Sequence, residues 1–229
     1  MERKVQKKNG INYETMLPPD GIPPKGVLVL THGYREHLGR YTDFYQTVVG
    51  DSWAVLAHDL RGHGDSEGAR GYIEKFDQYV DDLDTIKEEA EKIAPGKPIV
   101  LFAHSLGGLI TMKYLISKKD LGNVKAAILA SPYLKYKQRL SPVDYFLSKI
   151  LNVLYPGYKS TSDKDFVQNL THSEEEKKKI REDKKCFRHA TVRWYNEAKK
   201  AQEDVAKQAK EVNLPTHVSL PLYSPTKGN

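Results

Sequence analysis

Two kinds of apolar pattern alternate along the chain. Continuous runs of strand length recur at Gly26-Val-Leu-Val-Leu-Thr31, Trp53-Ala-Val-Leu-Ala-His-Asp59, Pro98-Ile-Val-Leu-Phe102 and Val124-Lys-Ala-Ala-Ile-Leu-Ala130. An unbroken run suits a parallel strand covered on both faces. Between these runs, apolar side chains recur at helical spacing from about Tyr41 to Val49, from Phe76 to Ile93 and from Leu109 to Ile116. Strands alternating with helices predict an α/β fold with a mostly parallel, doubly wound sheet. Ahead of them, Arg3 to Lys7 and Ile11 to Leu17 flank Asn9-Gly10, a favoured two-residue turn, and predict a small antiparallel pair at the sheet edge.

From Tyr133 the pattern changes. Tyr136 to Tyr158 carries apolar residues at helical spacing (Tyr145, Phe146, Ile150, Leu151, Val153, Leu154), bracketed by Pro142 and Pro156. Ser173-Glu-Glu-Glu suits the start of a helix running to Asp183, and Thr191 to Val212 reads as a last amphipathic helix. No strand is expected in this stretch, and a helical insertion after a sheet strand reads as a lid. The predicted organisation is therefore a core over residues 1–132, a helical cap over 133–212 and an atypical tail over 213–229.

The candidate chemistry sits between the third long strand and its helix. In Ala103-His-Ser-Leu-Gly107 the serine falls at a strand-to-helix corner with small residues two before and two after it. So sharp a turn needs small neighbours, lifts the hydroxyl above the sheet and frees the next N–H for an oxyanion. Ser105 is the candidate nucleophile and the Leu106 N–H the first oxyanion donor; the bland alternative is a plain helix N-cap. The second donor is assigned to the Tyr34 N–H, in His32-Gly33-Tyr34 after the first long strand. An ordinary strand-exit turn is the competing reading there.

Composition bounds the rest. The 229 residues suffice for one α/β domain, and no apolar run approaches membrane-spanning length. The formal charge of +6 comes from lysines scattered among acids without interleaved aromatics, so no nucleic-acid partner is expected. An anionic lipid surface or simple solvation accounts for it better. The basic N-terminus leads into no apolar stretch, so no signal peptide is expected, and the single Cys186 fits a reducing compartment. The expected location is cytoplasmic, with peripheral contact at membranes. Cys186 is read as lid packing or, alternatively, a reactive thiol. The pairs His32/His37 and His58/His63 lie near Asp59 and Asp65, but on glycine-containing loops and without an H-E-x-x-H pattern. No metal and no cofactor are expected; His58 and His63 are read as hydrogen-bonding the loop after their strand.

Three blocks, His32-Gly-Tyr-Arg-Glu-His-Leu-Gly-Arg-Tyr41, Asp59-Leu-Arg-Gly-His-Gly-Asp-Ser-Glu-Gly68 and Ala103-His-Ser-Leu-Gly-Gly108, together resemble the monoacylglycerol lipase/lysophospholipase branch of the α/β-hydrolases, grouped with serine aminopeptidase-like enzymes. The resemblance covers about residues 10 to 215 and extends to the cap at Leu170-Thr-His, Thr191-Val-Arg-Trp-Tyr and Lys200-Ala-Gln202. It implies Ser105 as nucleophile, the Tyr34 and Leu106 amides as oxyanion hole, and a lid opening toward lipid. It also implies a lipid or other long-chain acyl ester as substrate. Phe146, Ile150, Leu151 and Leu154 would then line an acyl pocket or touch a membrane; the alternative is that they pack onto the sheet.

The same resemblance exposes a break. This fold's order is serine, then acid, then histidine, and the family supplies the last two after the lid. Thr216 to Asn229 holds no carboxylate, Pro221 and Pro225 fit a central strand poorly, and His217 is the only late histidine. Either the C-terminal strands are missing from a truncated or frame-altered chain, or Asp204, Glu211 or His217 is recruited instead. The reading is a serine hydrolase by descent whose activity in this chain is in question; the alternative is a non-catalytic lipid- or acyl-binding pseudohydrolase.

Overall fold

The structure, a computed structural model, describes residues 2–19, 21–135, 141–160, 167, 171 and 173–220. The N-terminal hairpin pairs β1 (Glu2–Lys8) with β2 (Ile11–Leu17) through Asn9 and Gly10, at φ 49° and 79°. These left-handed values match the strand twist, which is why this dipeptide serves here. The chain continues through β3 (Val27–Thr31), a 3-10 turn (Leu38–Tyr41), α1 (Thr42–Gly50), β4 (Ala54–His58), α2 (Asp77–Ile93), β5 (Ile99–His104), α3 (Leu106–Ser117) and β6 (Val124–Ala130). The stretch read as a cap holds α4 (Pro142–Leu154), β7 (Lys159–Ser160), α5 (Glu174–Glu182), β8 (Ala190–Thr191) and α6 (Val192–Gln208), and β9 (Thr216–Ser219) ends the described chain.

Seven strands form one sheet in the order β1-β2-β4-β3-β5-β6-β9, parallel from β4 onward and antiparallel at the hairpin. Strand alternation divides its side chains between two layers. Val27, Val29, Ala54, Leu56, Leu101, Ala103, Ala127 and Leu129 join α2, α3 and α6 in the main core. Leu28, Leu30, Val55 and Ala57 join Tyr45 and Val49 of α1 in a smaller one.

Coverage of both faces, expected of the first run, holds for β3, and β4 is likewise buried throughout. It fails for β5, where Val100, Phe102 and His104 are half-buried. α1 packs mainly over β2 and β4 and reaches β5 at Phe102, whose ring lies 4.6 Å from that of Phe44.

The cap departs from the expected all-helical stretch at one place: β7 and β8 form a two-residue antiparallel bridge. The Thr191 hydroxyl donates to Gly71 O at 2.7 Å, tying that bridge to the core. Ser141, Ser173 and Thr191 cap α4, α5 and α6 by accepting the N–H of Asp144, Glu176 and Trp194. α6 leans on α3 and buries Trp194, Ala198, Ala201 and Val205 in the main core.

The tail forms one more strand than the broken resemblance suggested. Beyond Pro215, Thr216 to Ser219 pair in parallel with Ala127 to Ala130 of β6. Pro221 and Pro225, with the rest of 221–229, lie outside the described residues, as do Tyr136, Leu170 and His172 of the cap blocks.

Candidate active site

Ser105 follows the last residue of β5 at φ 49° and ψ −111°, a region that side-chain-bearing residues occupy only under constraint. The constraint is visible in the hydrogen bonds around it. Its N–H donates to Ala130 O at 3.0 Å, and its carbonyl accepts Gly108 N–H at 3.0 Å and Tyr133 N–H at 2.8 Å. The N-cap alternative fails: Ser105 occupies that position of α3, but its side chain makes no capping hydrogen bond. The residue is half-buried.

The small neighbours are explained by contact. A Cβ on Gly107 would lie 2.2 Å from Thr31 O and 2.8 Å from His32 O, so α3 begins against the end of β3. Ala103 is completely buried.

The loop after β3 returns to the same corner. A Cβ on Gly33 would sit 2.6 Å from Glu36 Oε1, 3.1 Å from His104 Nδ1 and 3.2 Å from Ser105 Cβ. Tyr34 therefore follows a residue in contact with the candidate nucleophile. Its ring stacks on Trp194 with centroids 3.8 Å apart, and its hydroxyl donates to His189 O at 3.0 Å. Arg35 next to it holds φ 67°, and Ser131 at the end of β6 holds φ 47°. Three strained residues thus gather at the carboxyl end of the sheet, where α/β folds bind their ligands. Leu106 opens α3 with its side chain fully buried, and its N–H belongs to the first turn.

Glu36, which the sequence argument did not single out, is the hub of this loop. Its Oε1 accepts the Gly33 N–H at 2.6 Å and the Tyr41 hydroxyl at 2.8 Å, and it lies 3.0 Å from His104 Nδ1. Burial by itself would raise the Glu36 pKa; the His104 hydrogen bond and charge overcome it and hold the group at about 2. The block His32 to Tyr41 was the available signal, since Glu36 and Tyr41 both lie in it, but their meeting with His104 depends on the fold.

Of the two histidines read as holding the loop after β4, His63 does so, with its Nδ1 3.0 Å from Arg61 O, whereas His58 Nε2 lies 3.0 Å from Thr31 Oγ1 of β3. The third, His32, holds that loop instead, its Nε2 accepting the Leu60 N–H at 3.0 Å. Burial lowers the pKa of all three enclosed rings, to about 3 for His58 and His63, which keeps them neutral. Asp59 accepts from Asn12 Nδ2, Leu38 N–H and Asp65 N–H, each at 2.9 Å.

The candidates for recruitment stand elsewhere. Asp204 accepts from Lys113 Nζ at 2.7 Å, Glu211 is exposed in a 3-10 turn, and His217 is exposed on β9 opposite Ile128. The chain leaves β9 on the nucleophile's side, because Ser219 O accepts the Ser131 N–H at 2.7 Å. In the cap, Phe146, Ile150 and Leu154 are exposed at 65%, 40% and 63%, and Leu151 is half-buried. They do not pack onto the sheet. Burial, with Asp183 beside it, pushes the Cys186 thiol up to about 11, which favours the inert over the reactive reading.

Residues 22–220 match the serine aminopeptidase S33 family. The chain is 36% identical over 147 residues to a monoacylglycerol lipase of Mycolicibacterium smegmatis and 30% identical over 180 residues to phospholipase YtpA of Bacillus subtilis. It is 33% identical over 140 residues to human monoglyceride lipase. These alignments take in 64%, 79% and 61% of the chain, and 51%, 68% and 45% of the three relatives, so the chain spans about half the length of the two lipases. The monoacylglycerol lipase structure of Paleococcus ferrophilus superposes with a TM-score of 0.77 at 26% identity, covering 91% of this chain and 76% of that one. Among the described residues no helix is long and apolar enough to cross a membrane. By these matches the chain belongs to the serine aminopeptidase S33 family of α/β-hydrolases, in its monoacylglycerol lipase/lysophospholipase branch.

Proposed function

We propose that this chain is a serine hydrolase acting on acyl esters of lipids, with Ser105 as nucleophile and the Tyr34 and Leu106 N–H groups as oxyanion donors. The observation that carries it is the strained, uncapped Ser105 with Gly33 in contact. In the reaction, Oγ bonds the ester carbonyl carbon and the carbonyl electrons collect on an oxygen between the two amides. The hydroxyl proton passes through water to the departing alcohol as the ester C–O bond breaks, leaving an acyl-Ser105 that a second water hydrolyses. Glu36 acts as a positioning residue, fixing the Gly33 N–H that shapes this loop. Phe146, Ile150, Leu151 and Leu154 of α4 meet the acyl chain or a membrane surface, in keeping with the exposure of the first, second and fourth.

One observation favours a second reading, a pseudohydrolase that binds acyl lipids without cleaving them: Asp204, Glu211 and His217 all stand away from Ser105. A nucleophilic serine nearly stops without its histidine. A fluorophosphonate probe with p-nitrophenyl ester turnover separates the two. Labelling that Ser105→Ala removes, with turnover above that variant's, supports the hydrolase; acyl-ligand binding without labelling or turnover supports the pseudohydrolase.

A further inference from the structure

We propose that His37, Asp183 and Cys186 form a binding site for a thiophilic divalent cation of the zinc class, which clips the cap to the loop beside the elbow. One ligand atom from each of the three residues lies within 4.8 Å of the others, and all three residues are half-buried. Ligand atoms around a tetrahedral zinc are about 3.2–3.8 Å apart, from metal bonds of 2.0–2.3 Å, so small side-chain rotations close the set.

The cluster is preorganised from both sides. His37 precedes the 3-10 turn, and its Nδ1 accepts the Gly39 N–H at 3.2 Å, which points Nε2 at Asp183 Oδ2, 2.7 Å away. On the cap side, α5 ends at Glu182 and a tight turn follows. The Cys186 N–H donates to Asp183 O at 3.2 Å, and the Lys185 N–H to Asp183 Oδ1 at 2.8 Å. That turn sets the carboxylate and the thiol on one side, toward the imidazole. Two cations that act on the cluster already have partners: Arg40 Nε lies 3.4 Å from Glu36 Oε2, and Lys185 Nζ 2.5 Å from Asp65 Oδ2.

The donor set selects the ion. Sulfur and imidazole nitrogen with one carboxylate suit zinc or cadmium, whereas magnesium and calcium want oxygen throughout. Three protein ligands leave a fourth position for water, the coordination of an exchangeable site. On binding, the Cys186 S–H bond breaks, its electron pair forms the sulfur–metal bond and the proton passes to solvent. His37 binds through Nε2 with its remaining ring proton on Nδ1, which releases the Gly39 N–H. Each cation therefore displaces one proton. Because His37 adjoins Glu36, the bound ion opposes separation of the cap from the loop that carries Tyr34. Hydrogen bonds from Lys185 to Asp65 and from Tyr34 to His189 O already span the same gap.

The test is a titration of the full chain with Cd2+ followed by ultraviolet absorption, and with Zn2+ followed by calorimetry. The expected result is one equivalent bound, with a sulfur-to-cadmium charge-transfer band that Mg2+ does not produce. Asp183→Asn should weaken binding at least about tenfold, and Cys186→Ser should abolish the band. Zn2+ should raise the melting temperature of the unmodified chain and not that of Cys186→Ser. Absence of the band from the unmodified chain at one equivalent overturns the proposal, however the variants fold. Equal affinity in Cys186→Ser overturns it too.

Discussion

Asp59 receives three hydrogen bonds from three separate segments, and Glu36 gathers a backbone amide, a tyrosine and a histidine around one oxygen. The outer face of α4 has nothing comparable: Val143, Phe146, Val153 and Leu154 are all more than 60% exposed, while contacts to α6 hold its inner face. The contrast separates two jobs. Loops that must keep a strained serine and its neighbours in register are over-determined by buried polar contacts, each costly to strand. On the proposed function the outer face of α4 keeps its apolar area in water until a lipid partner covers it.

The largest way to break this contrast is Asp59→Ala. It strands the amides of Leu38 and Asp65 and the side chain of Asn12, at about 1–3 kcal/mol for each buried group left unpaired. A loss of roughly 4 kcal/mol is expected, which thermal melting should register as a drop on the order of 10 °C at this chain length. A drop within a degree or two would show that the loop is not held through Asp59.

A second test comes from pH. His58 and His63 are neutral in the fold, with pKa values lowered by burial to about 3 from an ordinary 6.5, so their protons bind more readily to the unfolded chain. Their contribution to stability is complete above about pH 6.5 and is lost as pH falls toward 3. Glu36, held at about 2 against an ordinary 4.5, adds a second loss between those two values. Denaturant melts across this range should show stability level near neutrality, falling below about pH 6.5 and steepening below about pH 4.5. Glu36→Gln should flatten the lower limb and leave the upper one. A profile level down to pH 4 would contradict the neutral buried histidines.

The smallest effect on stability sharpens the comparison from the other side. Phe146→Ser with Leu154→Ser removes exposed apolar area, so the melting transition should stay within about 0.5 kcal/mol of the parent. The same pair should reduce co-sedimentation with anionic phospholipid vesicles severalfold. Unchanged vesicle binding would remove α4 from the lipid-facing role, and a large loss of stability would mean that the helix is packed rather than exposed.

The order of elements, the hairpin turn and the serine corner were legible in the chain because each rests on local physics. Apolar period decides strand or helix, Asn9-Gly10 supports left-handed φ, and a corner between strand and helix tolerates only small flanks. The limits of that reading are equally physical. Period alone left open whether β5 was covered on both faces, and only the packing decided that Val100 and Phe102 are half-buried. Apolar spacing in α4 could not distinguish a buried face from an open one. Glu36 with His104, 68 positions apart, and His37 with Asp183, 146 apart, became neighbours only once the strands had crossed over and the cap had folded back. Burial preference is a property of each residue and its near neighbours, so one chain carries it; a side chain's partner is set by how distant segments pack, and only the tertiary structure decides that.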